Sequence, residues 1–318
     1  MAAPDAQLGL PVYKAPFFLP GGHLQTICPS FRNNFDASLY RRERVYTGDD
    51  DFLDLDWVAS GHKRLAILSH GLEGSSHRPY IMGMAHRLKD DWDILAWNFR
   101  SCSGELNRQL RFYHSGATDD LARVIAHART GGYKHIVLIG FSMGGNISLL
   151  YLAGQADSAV AGAIVFSVPC DLAGSARQLA RFSNKIYMER FMRLLRQKVL
   201  AKSRIFPALD VRNLQKVKTF KDFDDRFTAP IHGFASAEDY WRKCSSLFRI
   251  GEIDRPAFII NAANDPFLSE KCYPVEEAAE NPDVRLIIPR QGGHTGFPQK
   301  GTYYWSEEAA AALLQRFI

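Results

Sequence analysis

Residues 135–152 read HIVLIGFSMGGNISLLYL. The stretch opens on an unbroken apolar run of strand length and closes on an apolar segment of helical length. Between the two, Gly140, Phe141, Ser142, Met143 and Gly144 fit the pattern G-x-S-x-G. The bare pattern is weak, but its setting at a strand-to-helix turn is specific. A serine there occupies a sharp, strained bend that projects its hydroxyl beyond the sheet edge. Gly140 and Gly144 are required beside it because side chains would strike the adjacent elements. The plainer reading is a glycine-rich turn with an incidental serine.

Similar apolar or β-branched runs lie on both sides: RERVYT (42–47), FLDLDWV (52–58), RLAILSH (64–70), DILAWN (93–98), GAIVFS (162–167), AFIINA (257–262) and VRLIIP (284–289). With 135–140 they make eight candidate strands. The first two alternate apolar and polar residues, as a hairpin with one wet face does; the later ones are nearly continuous, as parallel strands covered on both faces are. Amphipathic segments such as DDLARVIAHAR and NISLLYLAG separate them, so the expected architecture is a mostly parallel eight-stranded α/β sheet with helices on both faces and an antiparallel edge. The alternation stops after Val168. Residues 171–246 hold no clean buried strand, and a structureless loop of that length is improbable in a compact domain, so a helical cap over the carboxyl edge of the sheet is expected. Residues 1–40 form an N-terminal arm packed on this single domain, and Ser306 is the expected N-cap of a final helix.

The 318 residues are 46% hydrophobic and 23% charged, an ordinary globular composition. No run of apolar residues is long enough to span a bilayer, and the N-terminus lacks the pattern of a secretory signal. The five cysteines are odd in number and scattered, without a C-x-x-C pair, which predicts reduced thiols, neither disulfide nor zinc, and a cytoplasmic location. A net charge of +5 falls far short of the basic stripe of a nucleic-acid binder.

A serine hydroxyl is a poor nucleophile at neutral pH and needs a base, itself oriented by an acid. His294, in the glycine-flanked RQGGHTGF between the last strand and the final helix, is the candidate base. Asp265, at the carboxyl end of the penultimate strand in IINAANDPFLS, is the candidate acid, although Asp-Pro is also a common turn starter. The order Ser142, Asp265, His294 is that of α/β-hydrolases. An oxyanion requires two N–H donors, and the candidates are the backbone amides of Met143 and of Leu72, the latter in the loop SHGLEGSSHRPY after the third strand. His70 frames that loop, and the Glu73 side chain is expected to point away from it. No metal or organic cofactor is called for.

The elbow FSMGGN, the loop HGLEG, and the segments NFRSCSGELNRQLRFYHSGATDDL, PFFLPGGHLQT and FDDRFTAPIHGF together resemble the YheT-type α/β-hydrolases, a branch that includes the eukaryotic ABHD1- and ABHD3-like proteins. The resemblance runs from about Pro16 to the C-terminus and carries the family's charge relay onto Ser142, Asp265 and His294. It implies carboxylesterase or lipase-like activity on small-molecule or lipid esters. The eukaryotic relatives carry an N-terminal membrane anchor, of which this chain shows no sign. Thioester, perhydrolase or C–C bond hydrolysis on the same scaffold is the alternative, as is a binding protein with a vestigial triad.

Three family-like features lack obvious chemistry. Arg100 and Glu105 are expected to bond to each other and fix their loop; His114 and Asp119 cap the next helix; His23 and Gln25 either line the pocket mouth or anchor the arm. In KIYMERFMRLLRQKVL, Tyr187, Phe191, Leu194 and Leu195 form an apolar stripe among Arg190, Arg193, Arg196 and Lys198. Such a helix either packs its stripe on the core with its basic face solvated or lies on an anionic bilayer surface. The apolar stripe together with nearby Phe182, Phe206 and Phe223 is expected to wall an acyl pocket.

Overall fold

The computed structural model describes residues 8–32, 35–154 and 156–318; of the arm 1–40, residues 1–7 and 33–34 lie outside them. Eight strands form one sheet in the order β1-β2-β4-β3-β5-β6-β7-β8. They are β1 (Arg41–Tyr46), β2 (Phe52–Val58), β3 (Arg64–Ser69), β4 (Asp93–Trp97), β5 (His135–Phe141), β6 (Val160–Phe166), β7 (Ala257–Ile260) and β8 (Val284–Ile287). Only β2 runs against its neighbours; the remaining pairs are parallel.

The side-chain period of two divides each inner strand between two cores. Ile136 and Leu138 of β5 face one apolar cluster with α3 (Thr118–Thr130) and α4 (Met143–Leu152), while Val137 and Ile139 face another with α2 (Pro79–Leu88) and α9 (Trp305–Leu314). The short helix α1 (Gly21–Ile27) precedes the sheet, and α8 (Val275–Glu280) lies between β7 and β8.

The alternation in β2 is real, but its polar face is not wet: Asp54 and Asp56 are buried. Arg44 grips Asp54 through contacts of 2.7 and 2.9 Å, and Arg42 grips Asp56 through two of 2.8 Å. Arg100 does not meet Glu105. It is buried at the end of β4 and contacts Asp51, Asp120 and Asp49 at 2.8, 2.8 and 2.9 Å, because three acids surround that buried position while Glu105 lies on the exposed loop beside Arg44. Nor do His114 and Asp119 cap α3: the His114 ring accepts from Gly116 N–H and Asp119 pairs with Arg111. The final helix begins at Trp305, whose burial draws it into the first turn. Ser306 therefore lies inside the helix, and Glu307 reaches back to accept the Tyr304 N–H at 2.8 Å.

Between β6 and β7 the chain forms α5 (Leu172–Leu179), α6 (Lys185–Ser203), α and π turns over residues 220–232, and α7 (Ala237–Cys244). Tyr187, Phe191, Leu195 and Val199 of α6 cluster with Phe223 and Phe227 and with Phe112 and Phe267 of the core. Leu194 is only half-buried at the margin of this stripe. Among the described residues, no helix is long and apolar enough to cross a membrane.

Candidate active site

Ser142 stands between β5 and α4 with φ 53° and ψ −120°, a strained conformation for a residue with a side chain. The space around it explains the glycines. A Cβ on Gly140 would lie 2.6 Å from Gly144 O, and one on Gly144 would lie 2.4 Å from Ser69 O. The Ser142 N–H donates to Phe166 O at 2.8 Å, which ties the bend to β6.

Two further loops meet it. His294 Nε2 lies 3.0 Å from Ser142 Oγ, and His294 Nδ1 lies 2.9 and 3.1 Å from the two oxygens of Asp265. The Asp265 carboxylate is fully buried and accepts the Phe267 N–H at 2.9 Å. It thereby fixes the tautomer with Nδ1 protonated, leaving Nε2 as the acceptor towards serine. The Phe267 ring lies 4.2 Å from the imidazole and shields it from water.

The arm holds these loops in register. Gln25 Oε1 accepts from Asn264 Nδ2 at 2.9 Å and from Gly292 N–H at 2.8 Å, Asn264 Oδ1 accepts the Gly293 N–H, and Thr26 Oγ1 accepts the His294 N–H at 2.8 Å. Gln25 thus anchors the arm and joins the loop of Asp265 to that of His294. His23 stacks on Tyr187 of α6.

Leu72 and Met143 line a cavity together with Ser142. Met143 is the first residue of α4, so its N–H has no acceptor within the helix. The Leu72 amide is aimed by its neighbours. The Phe99 N–H donates to His70 Nε2, so the ring proton sits on Nδ1 and is donated to Gly71 O at 2.7 Å; Gly74 N–H reaches the same oxygen at 3.0 Å. With the Gly71 carbonyl held on one side, a trans peptide turns the Leu72 N–H to the opposite side. Burial lowers the His70 pKa to about 3, so the ring stays neutral in this role.

The Glu73 side chain, expected to point away from the oxyanion site, is buried and held by two partners. Its carboxylate lines the cavity, takes a hydrogen bond from Tyr113 Oη and pairs with Lys198 of α6 at 2.7 Å. The ion pair neutralises the charge that would oppose an oxyanion. Lys198 therefore leaves the solvated basic face of α6, and Lys202 does so too, donating to Asn107 O at 2.7 Å. The sequence offered a signal for both, since residues 187, 191, 195, 198 and 202 follow one helical stripe.

The cavity measures about 1030 Å³ including its open mouth. Phe112, Leu179, Phe191, Leu195, Phe223 and Phe267 supply much of its wall. Of the residues expected there, Phe191 and Leu195 of the stripe and Phe223 line it; Tyr187, Leu194 and Phe206 do not, and Phe182 is 90% exposed. Asp224 also lines the cavity, accepting from Thr228 Oγ1 at 2.6 Å and Trp241 Nε1 at 2.8 Å, with burial raising its pKa to about 7. Among the described residues no group of three or more His, Cys, Asp or Glu is placed to hold a metal ion.

A mostly parallel sheet covered on both faces, with a strained serine at the β5–α4 turn, defines an α/β-hydrolase, and residues 67–301 match the family model described as the alpha/beta hydrolase fold. The chain belongs to this family and, within it, to the YheT-type branch. It is 34% identical over 286 residues to the putative esterase YheT of Escherichia coli K12, covering 86% of this chain and 84% of that protein. It is 28% identical over 299 residues to the phospholipase ABHD3 of Mus musculus, covering 88% and 72%. The esterase Pf2001 of Pyrococcus furiosus has the same fold, with a TM-score of 0.61 at 18% identity over 88% of this chain and 90% of that one.

Proposed function

We propose that this carboxylic ester hydrolase attacks its substrate with Ser142, using His294 as general base and Asp265 as the group that orients and charge-stabilises the imidazole. The observation that carries the reading is the unbroken hydrogen-bonded line from Ser142 Oγ through His294 to Asp265, opening on an apolar cavity. His294 takes the serine proton, and Oγ adds to the ester carbonyl. The Met143 and Leu72 amides donate hydrogen bonds to the tetrahedral oxyanion and stabilise its charge. Collapse expels the alcohol, protonated by His294, and leaves an acyl-serine; water then enters and the same steps release the acid.

The aromatic cavity suits the acyl half, and short- to medium-chain or lipid esters follow from its lining and from the relatives' activities. The segment 171–246 acts as the cap over this cavity. The packing of α6 against Phe267 and Phe112 favours that role over bilayer contact, because the apolar stripe is already covered. The scattered, unpaired cysteines suit a cytoplasmic enzyme.

The test is labelling with a fluorophosphonate probe, wild type against Ser142→Ala, followed by turnover of p-nitrophenyl esters of increasing chain length. Labelling confined to the wild type and an optimum within the series are expected. Labelling that survives the substitution removes Ser142 as nucleophile.

A further inference from the structure

Ser142 and His294 also border a second cavity, walled in part by Thr26, Ile27 and Pro29 of the arm. Leu72, Phe191 and Phe267 are shared walls, so the serine borders both the aromatic chamber, termed inner, and this one, termed outer. The charge of the outer chamber is one-sided. Arg32, Arg78 and Arg190 line it, and among the described residues no aspartate or glutamate does.

The three arginines are not equivalent. Arg32 is engaged by buried Glu307 at 2.6 Å. Arg78 gives one hydrogen bond to the Glu73 carbonyl, a neutral acceptor that leaves its charge uncompensated. Arg190, on α6, makes no ion pair among the described residues, and the Glu73 carboxylate is held by Lys198 at 2.7 Å. Burial, then the guanidiniums of Arg78 and Arg193, push the Arg190 pKa down, which places the two lining cations within each other's field. Like charges facing one cavity cost free energy unless an anion joins them. A guanidinium fork fits the planar or tetrahedral oxygens of carboxylate or phosphate. The mouth is apolar beside this charge: Phe31 and Ile186 line it while 77% and 74% exposed.

We infer that the outer chamber receives the alcohol half of the ester and that Arg78 and Arg190 select alcohols bearing an anionic group, phosphate above all. The inference rests on Ser142 being the nucleophile, since that residue divides the acyl side from the alcohol side. Arg190 is then a specificity-determining residue carried by the cap, and Arg78 its counterpart on the core. A phosphorylated alcohol reaches such a site either as a soluble phosphate ester or as a lipid headgroup; both present the same oxygens.

The experiment compares kcat/KM within two pairs of substrates that differ only in the phosphate. Monohexanoylglycerol and its glycerol phosphate counterpart are presented in water, and the palmitoyl pair in neutral-detergent micelles. The wild type should favour the phosphorylated member by about tenfold or more. Arg190→Gln should lower that ratio by about tenfold, Arg190→Lys should restore part of it, and added salt should erode it. A preference in both pairs identifies the phosphate ester itself as the ligand, and one confined to micelles identifies the lipid headgroup; each supports the inference. A wild-type ratio at or below one, or equal losses on both members in Arg190→Gln, overturns it. Probe labelling of Ser142 without turnover of any glycerol ester also overturns it, yet leaves the nucleophile standing; absence of labelling removes the nucleophile instead.

Discussion

Two sets of loops meet at the carboxyl edge of the sheet and are held by different means. Ser142, Asp265 and His294 sit on turns that leave β5, β7 and β8, so their approach is set by strand order, by glycines that admit close backbone contact, and by Gln25 and Thr26. The loop of residues 70–74 follows β3, but its shape depends on side chains from elsewhere: Tyr80 on the Gly71 N–H, Tyr113 on the Glu73 N–H, and Lys198 from α6 of the proposed cap on the Glu73 carboxylate. The proposed nucleophile is thus a property of the sheet, whereas the proposed oxyanion site depends partly on the cap. Substitutions in the two sets should therefore fail differently.

The largest effects belong to the first set. Ser142→Ala is expected to lower kcat by about 10⁴- to 10⁶-fold with little change in thermal stability. Asp265→Asn should cost about 10⁴-fold by favouring the wrong imidazole tautomer, read as kcat on a p-nitrophenyl ester with the fold verified by circular dichroism. An Asp265→Asn enzyme within tenfold of wild type would detach the acid from the site.

His70 tests the second set. His70→Ala frees the Gly71 carbonyl and lets the Leu72 peptide rotate, so kcat should fall by about 10²-fold while KM changes little, the mark of a positioning residue whose effect is felt in the transition state. An equal rise in KM would show that the loop serves substrate binding instead.

Lys198 sharpens the comparison further. Lys198→Met leaves Glu73 buried without its cation, close to where negative charge develops, and should lower kcat by about tenfold together with a loss of stability on the order of 3 kcal/mol. Lys198→Met combined with Glu73→Gln should recover most of both losses, because the damage lies in the orphaned charge. Strictly additive losses would show that cap and loop are independent.

The same contrast explains what could be read in the sequence. The α/β-hydrolase sheet was legible because apolar runs of strand length recur with helical segments between them, and Ser142, Asp265 and His294 could be picked out because each stands at the end of such a run. The polar pins were not legible. Asp54 and Asp56 look like a wet strand face until Arg42 and Arg44 cover them, Arg100 meets acids from positions 49, 51 and 120 in place of nearby Glu105, and Glu73 meets Lys198 across 125 residues. Propensity and periodicity describe local chain, whereas these pairs are decided by which charges the fold buries together. One sign was present: Lys198 and Lys202 fall on the apolar stripe of α6, where an uncompensated ammonium would be costly.

Asp224 gives the smallest expected effect and a contrast with Asp265: both are buried carboxyls, but Asp224 lines the inner cavity while Asp265 lies behind His294. Asp265 faces an imidazole and a backbone amide, while Asp224 faces the Thr228 hydroxyl and the Trp241 indole without a cation, so burial dominates and raises its pKa to about 7. The folded protein therefore holds a proton at this site between about pH 4 and 7 that the unfolded chain releases. The corresponding stability is complete below pH 4 and declines as pH rises, levelling off above 7. Glu307, also raised to about 7, contributes in the same direction, so only the difference between wild type and variant isolates Asp224. Asp224→Asn keeps an acceptor for the Trp241 indole and offers its NH2 to the Thr228 hydroxyl oxygen but cannot ionise, and should flatten the fall in Tm over this window by roughly 2 °C per pH unit. Parallel Tm curves for the two proteins would mean that Asp224 is already ionised at pH 5, with charge stabilisation at the inner end of the cavity that its hydrogen bonds do not reveal.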